Sequence, residues 1–215
     1  SPIKRDAINN FINNFKNDIE NLESTFFESM TALALTYFNN NNVDIAILET
    51  GLGGKYDSVT ACCPSLQLFT KISMDHQHIL GDTIEKIAID KAHAIQNGIP
   101  CISTIQDKNV EFILDSYAAE NSTCIKYITD RYDLDYKSPL LGEHQKQNIM
   151  LAANAAQTIY KIEKENIIKG INKTSWPGRV EVMRKEPVVI FDVCHNDDSI
   201  IEFCKCYETK IQIYF

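Results

Sequence analysis

The sequence has little positive charge, and what it lacks excludes several classes of protein. It carries 21 lysine and arginine residues against 29 aspartate and glutamate residues, which gives a formal net charge of −8. This balance argues against a general surface for nucleic acid or anionic membrane, although a local pocket for phosphate remains compatible with it. No apolar run approaches the roughly 20 residues that cross a bilayer, and no signal peptide is recognised. The hydrophobic content of 44% still suffices for a packed core.

The sequence also lacks the paired cysteines of a structural zinc site. Among its seven cysteines, Cys62 and Cys63 are adjacent and Cys204 and Cys206 are two apart, so neither pair has C-x-x-C spacing. An odd number of cysteines without that spacing favours free thiols in a reducing compartment. We therefore expect a cytoplasmic protein.

One stretch, residues 43–57, combines an apolar run with a carboxylate and a glycine-rich segment. Residues 43–48 are almost all apolar, which is typical of a strand buried on both faces of a parallel sheet. Glu49 comes next, followed by three glycines at positions 51, 53 and 54. Ligands bind beyond the carboxyl ends of parallel strands, so Glu49 is a candidate site residue. The alternative is a solvated acid before an ordinary turn.

The first 128 residues alternate helical patterns with short apolar runs. Apolar spacing predicts an amphipathic helix within residues 1–23 and a helix over 26–38 with Ser24 as its N-cap. Further helices are predicted over residues 82–96 and 110–120, and strands over 66–72, 101–105 and 124–128. This alternation predicts an α/β protein with a mainly parallel sheet flanked by helices.

The pattern changes from Gly142 onward. Helices are predicted over residues 146–162 and 164–171, and Trp176-Pro177-Gly178-Arg179 is typical of a linker. A strand over 188–191, a helix over 199–207 and a strand over 211–215 would then begin a second α/β unit, too short to fold alone. We therefore predict a first domain over residues 1–172, a linker over 173–180, and the start of a second domain over 181–215, with the chain incomplete at its end.

Polar side chains follow three of the predicted strands. They are Glu49, Asp75 with His76, and Asp192 with His195. Carboxylates and imidazoles can both serve a divalent metal, and Mg²⁺ usually takes only one or two protein ligands besides phosphates and water. For His76, the alternative is a histidine that only caps the helix after it.

Two basic residues have a functional and an ordinary interpretation. Lys91 lies among isoleucines and alanines, where a lysine usually packs its stem and keeps its ammonium in water. Desolvation could instead lower its pKa, and such an amine can take up CO₂ as a carbamate. Arg179, held by Pro177 and Gly178, could contact phosphate oxygens in a bidentate way, or be a surface arginine in a linker.

Five segments along the chain share a further pattern. They are ETGLGGKYD at residues 49–57, SMDH and LGDT within 73–83, IAIDKA at 87–92, LGEHQ at 141–145 with Asn148, and WPGR at 176–179 with Glu181 and DVCHN at 192–196. In the same order they resemble the EVGLGGRLD, DH…LGDT, IA-x-EKAG and LG-x-HQ-x-x-N motifs, and the pair PGR-x-E and DGAHN. These motifs belong to the folylpolyglutamate synthase and dihydrofolate synthase family of the Mur ligase superfamily.

The resemblance implies a fold and a reaction. The fold is a central ATPase domain on a parallel sheet, joined to a smaller Rossmann-like C-terminal domain. The reaction uses ATP to phosphorylate a carboxylate and then joins the amine of glutamate to the acyl phosphate. Phosphoryl transfer of this kind needs positioning and neutralisation of charge more than covalent help.

The resemblance also implies roles for particular residues. Glu49 and His76 match Mg²⁺ ligands, and Ser1, in an opening Ser-Pro pair, matches a third. Lys91 matches the family's carbamylated lysine, which with His76 makes the predicted catalytic pair. The predicted ATP-binding residues are Asn148, Arg179 and Asp192, and His195 matches a position that helps to hold the incoming glutamate.

The sequence departs from the family pattern at several positions. The phosphate-binding loop, G-x-x-G-K-S/T, does not occur in the 215 residues. Without its backbone amides and lysine the β- and γ-phosphates lack their cradle, so we expect the 215-residue chain alone to have no ligase activity. Lys55 stands in place of the family's arginine, His93 in place of a glycine, and Val193 in place of the glycine of DGAHN.

The function predicted from the sequence is therefore an ATP-dependent ligase that adds L-glutamate to dihydropteroate, to reduced folates, or to both. Its partners would be small molecules (ATP, L-glutamate, and dihydropteroate or folate), with Mg²⁺ as cofactor, no nucleic acid and no membrane, and the protein would act as a monomer. Two alternatives stay open. One is a catalytically inactive scaffold that binds nucleotide, folate or a partner protein; the other is a different Mur-type ligase, of peptidoglycan synthesis.

Overall fold

The computed structural model describes residues 2–128 and 137–206 of the chain. Contacts between its residues divide it into two compact units, Ser1–Cys63 and Pro64–Phe215. This division differs from the domain boundaries predicted at residues 172 and 181, which stay a prediction. Ser1, the end of the helix predicted to reach residue 207, and the strand predicted over 211–215 lie outside the described residues.

The first unit consists of two helices and a short 3₁₀ turn: α1 (Arg5–Asn21), α2 (Phe26–Asn40) and the turn Ser58–Ala61. Helix α2 begins after Thr25, whose hydroxyl accepts the Glu28 N–H at 3.3 Å while the Glu28 carboxylate accepts the Thr25 N–H at 2.7 Å. This reciprocal pair is a capping box, and it satisfies two donors at once. The N-cap is therefore Thr25, and the prediction of Ser24 was wrong by one residue.

The prediction of a buried strand over residues 43–48 was wrong. The segment forms no strand, and Val43, Ile45 and Ile47 are exposed, Ile47 to 88%. An apolar run becomes a strand only when a neighbouring strand completes its hydrogen-bond ladder. Within residues 2–128 and 137–206, no strand pairs with this segment.

The second unit contains a parallel sheet of three short strands in the order β1 (Gln67–Phe69), β2 (Cys101–Ser103) and β3 (Ile125–Tyr127). Helices α4 (Ile84–Ala92) and α5 (Lys108–Glu120) connect the strands. Their core residues recur four apart on one face, which is how a helix packs onto a sheet: Ala88 and Ala92, then Val110, Leu114 and Ala118. The predicted α/β class with a parallel sheet is confirmed.

The remainder of the second unit comprises a short helix after β1 and a set of elements beyond residue 142. They are α3 (Gln77–Leu80), α6 (Glu143–Tyr160), α7 (Lys164–Asn172), β4 (Glu181–Lys185), β5 (Val188–Phe191) and α8 (Asp197–Lys205). Helices α6 and α7 share a smaller core built on Ile149 and Ile167. Strands β4 and β5 pair antiparallel. The sequence predicted β5 with its observed bounds and missed β4.

None of the helices in the part of the chain that the structure describes combines the length and apolar character needed to cross a membrane.

Candidate active site

A buried glutamine fixes the backbone that leaves the sheet toward the candidate site. Gln106, after β2, is 5% exposed. Its Oε1 accepts the N–H of Ile72 at 2.9 Å, and its Nε2 donates to the carbonyl of Thr70 at 2.8 Å. Both partners lie after β1, so this side chain joins the carboxyl ends of two parallel strands, where ligands bind in such sheets.

The polar segment after β1 is organised around Asp75. One carboxylate oxygen, Oδ1, accepts the N–H of His76 at 2.8 Å, and the other, Oδ2, accepts Nδ2 of Asn196 at 3.0 Å. The Nε2 atoms of His76 and His195 each lie 3.9 Å from the same Oδ2. Two predicted site residues, His76 and His195, therefore meet at one carboxylate that connects them.

The surroundings of Asp75 favour its ionised form. Partial burial by itself raises its pKa, but the hydrogen bonds from His76 and Asn196 and the two nearby imidazoles outweigh burial, so the net pKa is lowered. His76, the N-cap of α3, has φ +49°, in the left-handed region that non-glycine residues seldom adopt. The carboxylate and this unusual turn place the exposed imidazole of His76 at the strand end.

The segment that carries His195 is held by the start of α8. The side-chain oxygen of Asn196 accepts the Ser199 N–H at 2.9 Å, and the Ser199 hydroxyl accepts the N–H groups of His195 at 3.2 Å and Asn196 at 3.1 Å. Asn196 is thus the N-cap of α8, and the helix starts two residues earlier than predicted. The first residues of α8 fix the backbone next to the exposed His195 ring.

Arg179 lies at an exposed turn whose flanking residues have unusual backbone angles. Gly178 has φ +74° and Val180 φ +51°. Asp192, at the end of β5, accepts the Val180 N–H at 2.7 Å on one oxygen and the Cys194 N–H at 2.8 Å on the other. These bonds hold a β-branched residue in the left-handed region, which costs about 1–3 kcal/mol. Asp192 therefore braces the turn that presents Arg179.

The Pro-Gly-Arg-x-Glu pattern has a structural explanation in the same turn. The Gly178 N–H donates to the carboxylate of Glu181 at 2.8 Å, and the Gly178 carbonyl accepts the Val193 N–H at 3.0 Å. A Cβ atom on Gly178 would lie 2.9 Å from Cγ1 of Val193. Only glycine fits both the space and the positive φ.

In the first unit, the glycine-rich loop after Glu49 folds around Asp57. One Asp57 oxygen accepts the N–H groups of Gly51 at 2.7 Å and Leu52 at 3.0 Å, and the other accepts the Val59 N–H at 2.9 Å. Asp57 therefore holds the loop, while the Glu49 side chain is exposed. These hydrogen bonds account for the aspartate of the motif, and Gly51 is required because a Cβ atom there would lie 2.6 Å from the Phe27 ring.

Two predicted site residues lie on helices of the second unit. Lys91, in the last turn of α4, is partly buried, and its ammonium has no ion-pair partner within residues 2–128 and 137–206. Asn148, in the second turn of α6, is also partly buried. Both interpretations of Lys91, a packed stem and a carbamate site, therefore stay open.

The described residues contain no group of three or more histidine, cysteine, aspartate or glutamate side chains that could hold a metal ion. The set of Glu49, His76 and Ser1 stays a prediction. The sequence indicated Asp75 only as one of the polar residues that could serve a metal, not as the residue that connects two histidines, and it gave Asn196 no role. The signal available was that each is adjacent to a histidine in a motif after a strand.

Comparison with a solved structure defines the class of fold. A complex of folylpolyglutamate synthase with AMPPCP and folate matches 98% of this chain and 61% of that chain, with a TM-score of 0.88 and 26% sequence identity. The chain thus has the Mur ligase fold of this ligase. That solved structure contains an ATP analogue and folate.

Sequence comparison identifies the family, although no family model matches the chain. A probable bifunctional folylpolyglutamate synthase/dihydropteroate synthase of Haloferax volcanii is 34% identical over 81% of this chain and 24% of its own length. The dihydrofolate synthase/folylpolyglutamate synthase of Bacillus subtilis is 31% identical over 93% of this chain and 54% of its own. The chain belongs to the folylpolyglutamate synthase and dihydrofolate synthase family. It spans about half the length, or less, of these relatives.

Proposed function

We propose that the protein is an ATP-dependent ligase that adds L-glutamate to dihydropteroate, to reduced folates, or to both, through an acyl phosphate. The observation that carries this proposal is the meeting of the segment after β1 with the segment after β5, where His76 and His195 each lie 3.9 Å from Asp75. Two motifs far apart in sequence thereby come together next to Asp75. The relatives' names and the complex with AMPPCP and folate support the same reaction.

The proposed roles follow from the chemistry of each side chain. The exposed guanidinium of Arg179 can form two parallel hydrogen bonds to phosphate oxygens and neutralise charge that develops during phosphoryl transfer. Asn148 and Asp192 would contact the nucleotide, Asp192 with lone pairs left after its two backbone hydrogen bonds. His195 would hold the incoming glutamate, whose carboxylates suit an imidazole donor.

We also propose that Mg²⁺ is the cofactor, with Glu49, His76 and Ser1 as its protein ligands. Glu49 and His76 supply an exposed carboxylate and an exposed imidazole, donors that can hold a divalent ion together with phosphates and water. When bound, the ion would neutralise charge on the transferring phosphate. Lys91 would supply a fixed negative charge as a carbamate. Its partial burial, and the lack of a carboxylate partner among the described residues, are compatible with this modification.

The cellular setting is part of the proposal. We propose a monomer in the cytoplasm, and the seven free cysteines support a reducing compartment.

The test is a ligase assay on the protein as its gene encodes it, with ¹⁴C-glutamate, ATP and either dihydropteroate or tetrahydrofolate. We expect labelled product and ADP with at least one acceptor, and the Arg179→Ala variant should lose at least about a hundredfold in kcat/KM, because one phosphate-binding donor contributes about 3 kcal/mol to the transition state. Lys185→Ala, on β4 of the same hairpin, is the matched control. Absence of product with both acceptors would favour the inactive scaffold.

A further inference from the structure

The hydrogen bond between Asp75 and Asn196 is not explained by the roles predicted for the site residues. It joins residues 121 positions apart, from Nδ2 of Asn196 to Oδ2 of Asp75 at 3.0 Å. We infer that Asp75 is a positioning residue, which holds His195 beside the His76 turn through the side-chain amide of Asn196. The inference rests on the proposed function only for what His195 then binds.

The amide of Asn196 is used at both ends. Its oxygen caps α8 by accepting the Ser199 N–H at 2.9 Å, and its nitrogen donates to Asp75. The residue therefore fixes the start of α8 and the segment after β1 with one planar group. An amide carries a donor nitrogen and an acceptor oxygen and can make both bonds, whereas an ionised carboxylate only accepts and can make one of them.

Both carboxylate oxygens of Asp75 also accept hydrogen bonds. Its Oδ1 holds the N–H of His76 at 2.8 Å, and its Oδ2 takes the amide of Asn196 and faces both imidazoles. The hydroxyl of Ser199 in turn holds the backbone N–H of His195 at 3.2 Å. A continuous set of hydrogen bonds thus runs from the His76 turn to the backbone of His195.

The imidazole of His195 has few contacts of its own, so other parts of the chain must restrain its position. His195 is exposed, and its own ring contacts are the Val193 carbonyl, 3.0 Å from Nδ1, and the Asp75 carboxylate. An exposed ring with few contacts samples several rotamers unless its backbone and one ring atom are held. Asp75 and Asn196 supply that restraint, which should lower the concentration of glutamate needed for binding.

Two single substitutions break the link with little change in shape. Asn196→Asp keeps an acceptor for the cap of α8, since asparagine and aspartate are equally good N-caps, but it replaces the donor by a second carboxylate facing Asp75. Asp75→Asn removes the charge. We expect Asn196→Asp to raise KM for glutamate about tenfold with kcat changed less than about threefold, and Asp75→Asn to act in the same direction more weakly.

The double variant Asp75→Asn with Asn196→Asp restores the link with donor and acceptor exchanged. The amide introduced at position 75 can still accept the His76 N–H and would donate to the carboxylate introduced at position 196, whose other oxygen still caps α8. KM for glutamate should therefore return to within about threefold of the original value, and the free energy of unfolding should recover as well. Asp82→Asn, which changes an exposed carboxylate paired with Lys86, is the control and should leave KM for glutamate unchanged.

A second measurement tests the inference without activity. The ¹H–¹⁵N resonances of the His195 ring should shift in Asn196→Asp and return in the double variant. Unchanged resonances in the single variants, or failure of the double variant to restore them, would overturn the inference even in an active ligase. Restored resonances in a protein without glutamate ligation would instead support the positioning role and contradict the proposed function.

Discussion

At the scale of single residues, three glycines show that a substitution can be disfavoured for two different reasons, backbone strain and crowding. Gly178, beside Arg179, combines φ +74° with a close neighbour, because a Cβ there would lie 2.9 Å from Val193. Gly98 has a similar φ of +70° but open space around it. Gly170, inside α7, also has open space and carries no positive φ. The three sites therefore differ in backbone strain and in crowding.

We predict three different outcomes for glycine-to-alanine substitutions. Gly178→Ala should lower the free energy of unfolding by about 2–4 kcal/mol, since it adds crowding to a left-handed backbone. Gly98→Ala should cost only the backbone strain, about 1–2 kcal/mol. Gly170→Ala should stabilise by about 0.5–1 kcal/mol, as alanine favours a helix. Urea unfolding measures all three, and equal effects at the three sites would contradict the assignment of causes.

At the scale of secondary-structure elements, β1 and β2 are held in place at their carboxyl ends by the Gln106 side chain. Besides the bonds to Ile72 and Thr70, its Nε2 lies 3.1 Å from the Ser103 hydroxyl, and the bonds to Ile72 and Ser103 are buried. A buried backbone N–H without an acceptor costs about 1–3 kcal/mol. The same glutamine thus stabilises the sheet and sets the direction of the segment that reaches Asp75.

We predict that Gln106→Leu lowers the free energy of unfolding by about 1–3 kcal/mol, because the Ile72 N–H loses its acceptor while the side-chain volume hardly changes. The neighbouring Asp107→Asn is the matched control. It weakens an exposed ion pair with Lys71, 2.7 Å long, which should contribute no more than about 1 kcal/mol. Thermal and urea unfolding compare the two variants, and equal losses would show that the buried hydrogen bond is not the cause.

At the scale of the whole molecule, several exposed carboxylates respond to pH in the same direction. The side-chain hydrogen bonds from Thr25 to Glu28, from Lys86 to Asp82 and from Asn109 to Glu85 lower the pKa of each carboxyl group. A group with a lowered folded-state pKa stabilises the fold above its unfolded pKa, and this contribution is lost as the pH falls through the folded-state pKa.

We therefore predict that the midpoint of thermal unfolding falls as the pH decreases below about 4, the range in which aspartate and glutamate titrate in unfolded chains. High salt should weaken this dependence, because the groups are exposed. Scanning calorimetry between pH 7 and pH 3 measures the effect, and the Glu85→Gln variant should show a shallower decrease. A midpoint that rises over this range would contradict the sign of the argument.

Local patterns accounted for most of the fold, and the failures occurred where distant residues decide. Helix α5 follows from the spacing of Val110, Leu114 and Ala118, since four-residue periodicity alone specifies which face is buried. Residues 43–48 have an equally clear apolar pattern, but a strand also requires a partner, which no local pattern supplies. Strand β4 was missed for the opposite reason, because its burial is slight and its main support is pairing with β5.

For the candidate site too, local motifs predicted some residues, while contacts between distant residues could not be predicted. Motifs indicated His76, His195 and Arg179 because each follows a strand or a proline-glycine turn. Asp75 and Asn196 were adjacent to these residues, yet a hydrogen bond between positions 121 apart leaves no periodic signal in a single sequence. The hydrogen bond from the Val180 N–H to Asp192 could not be predicted from the sequence either, since a backbone N–H is present at almost every residue.

The exposed segment 43–48 bears on how this chain behaves in concentrated solution. Val43, Ile45 and Ile47 present apolar surface to water beside a backbone that belongs to no ladder within the described residues. Short β-prone segments of this kind are templates on which further copies add as strands. The acidic net charge of −8 keeps copies apart at low ionic strength, but salt screens that repulsion. We therefore expect the 215-residue chain to become less soluble as salt is added, with segment 43–48 as one place where copies associate.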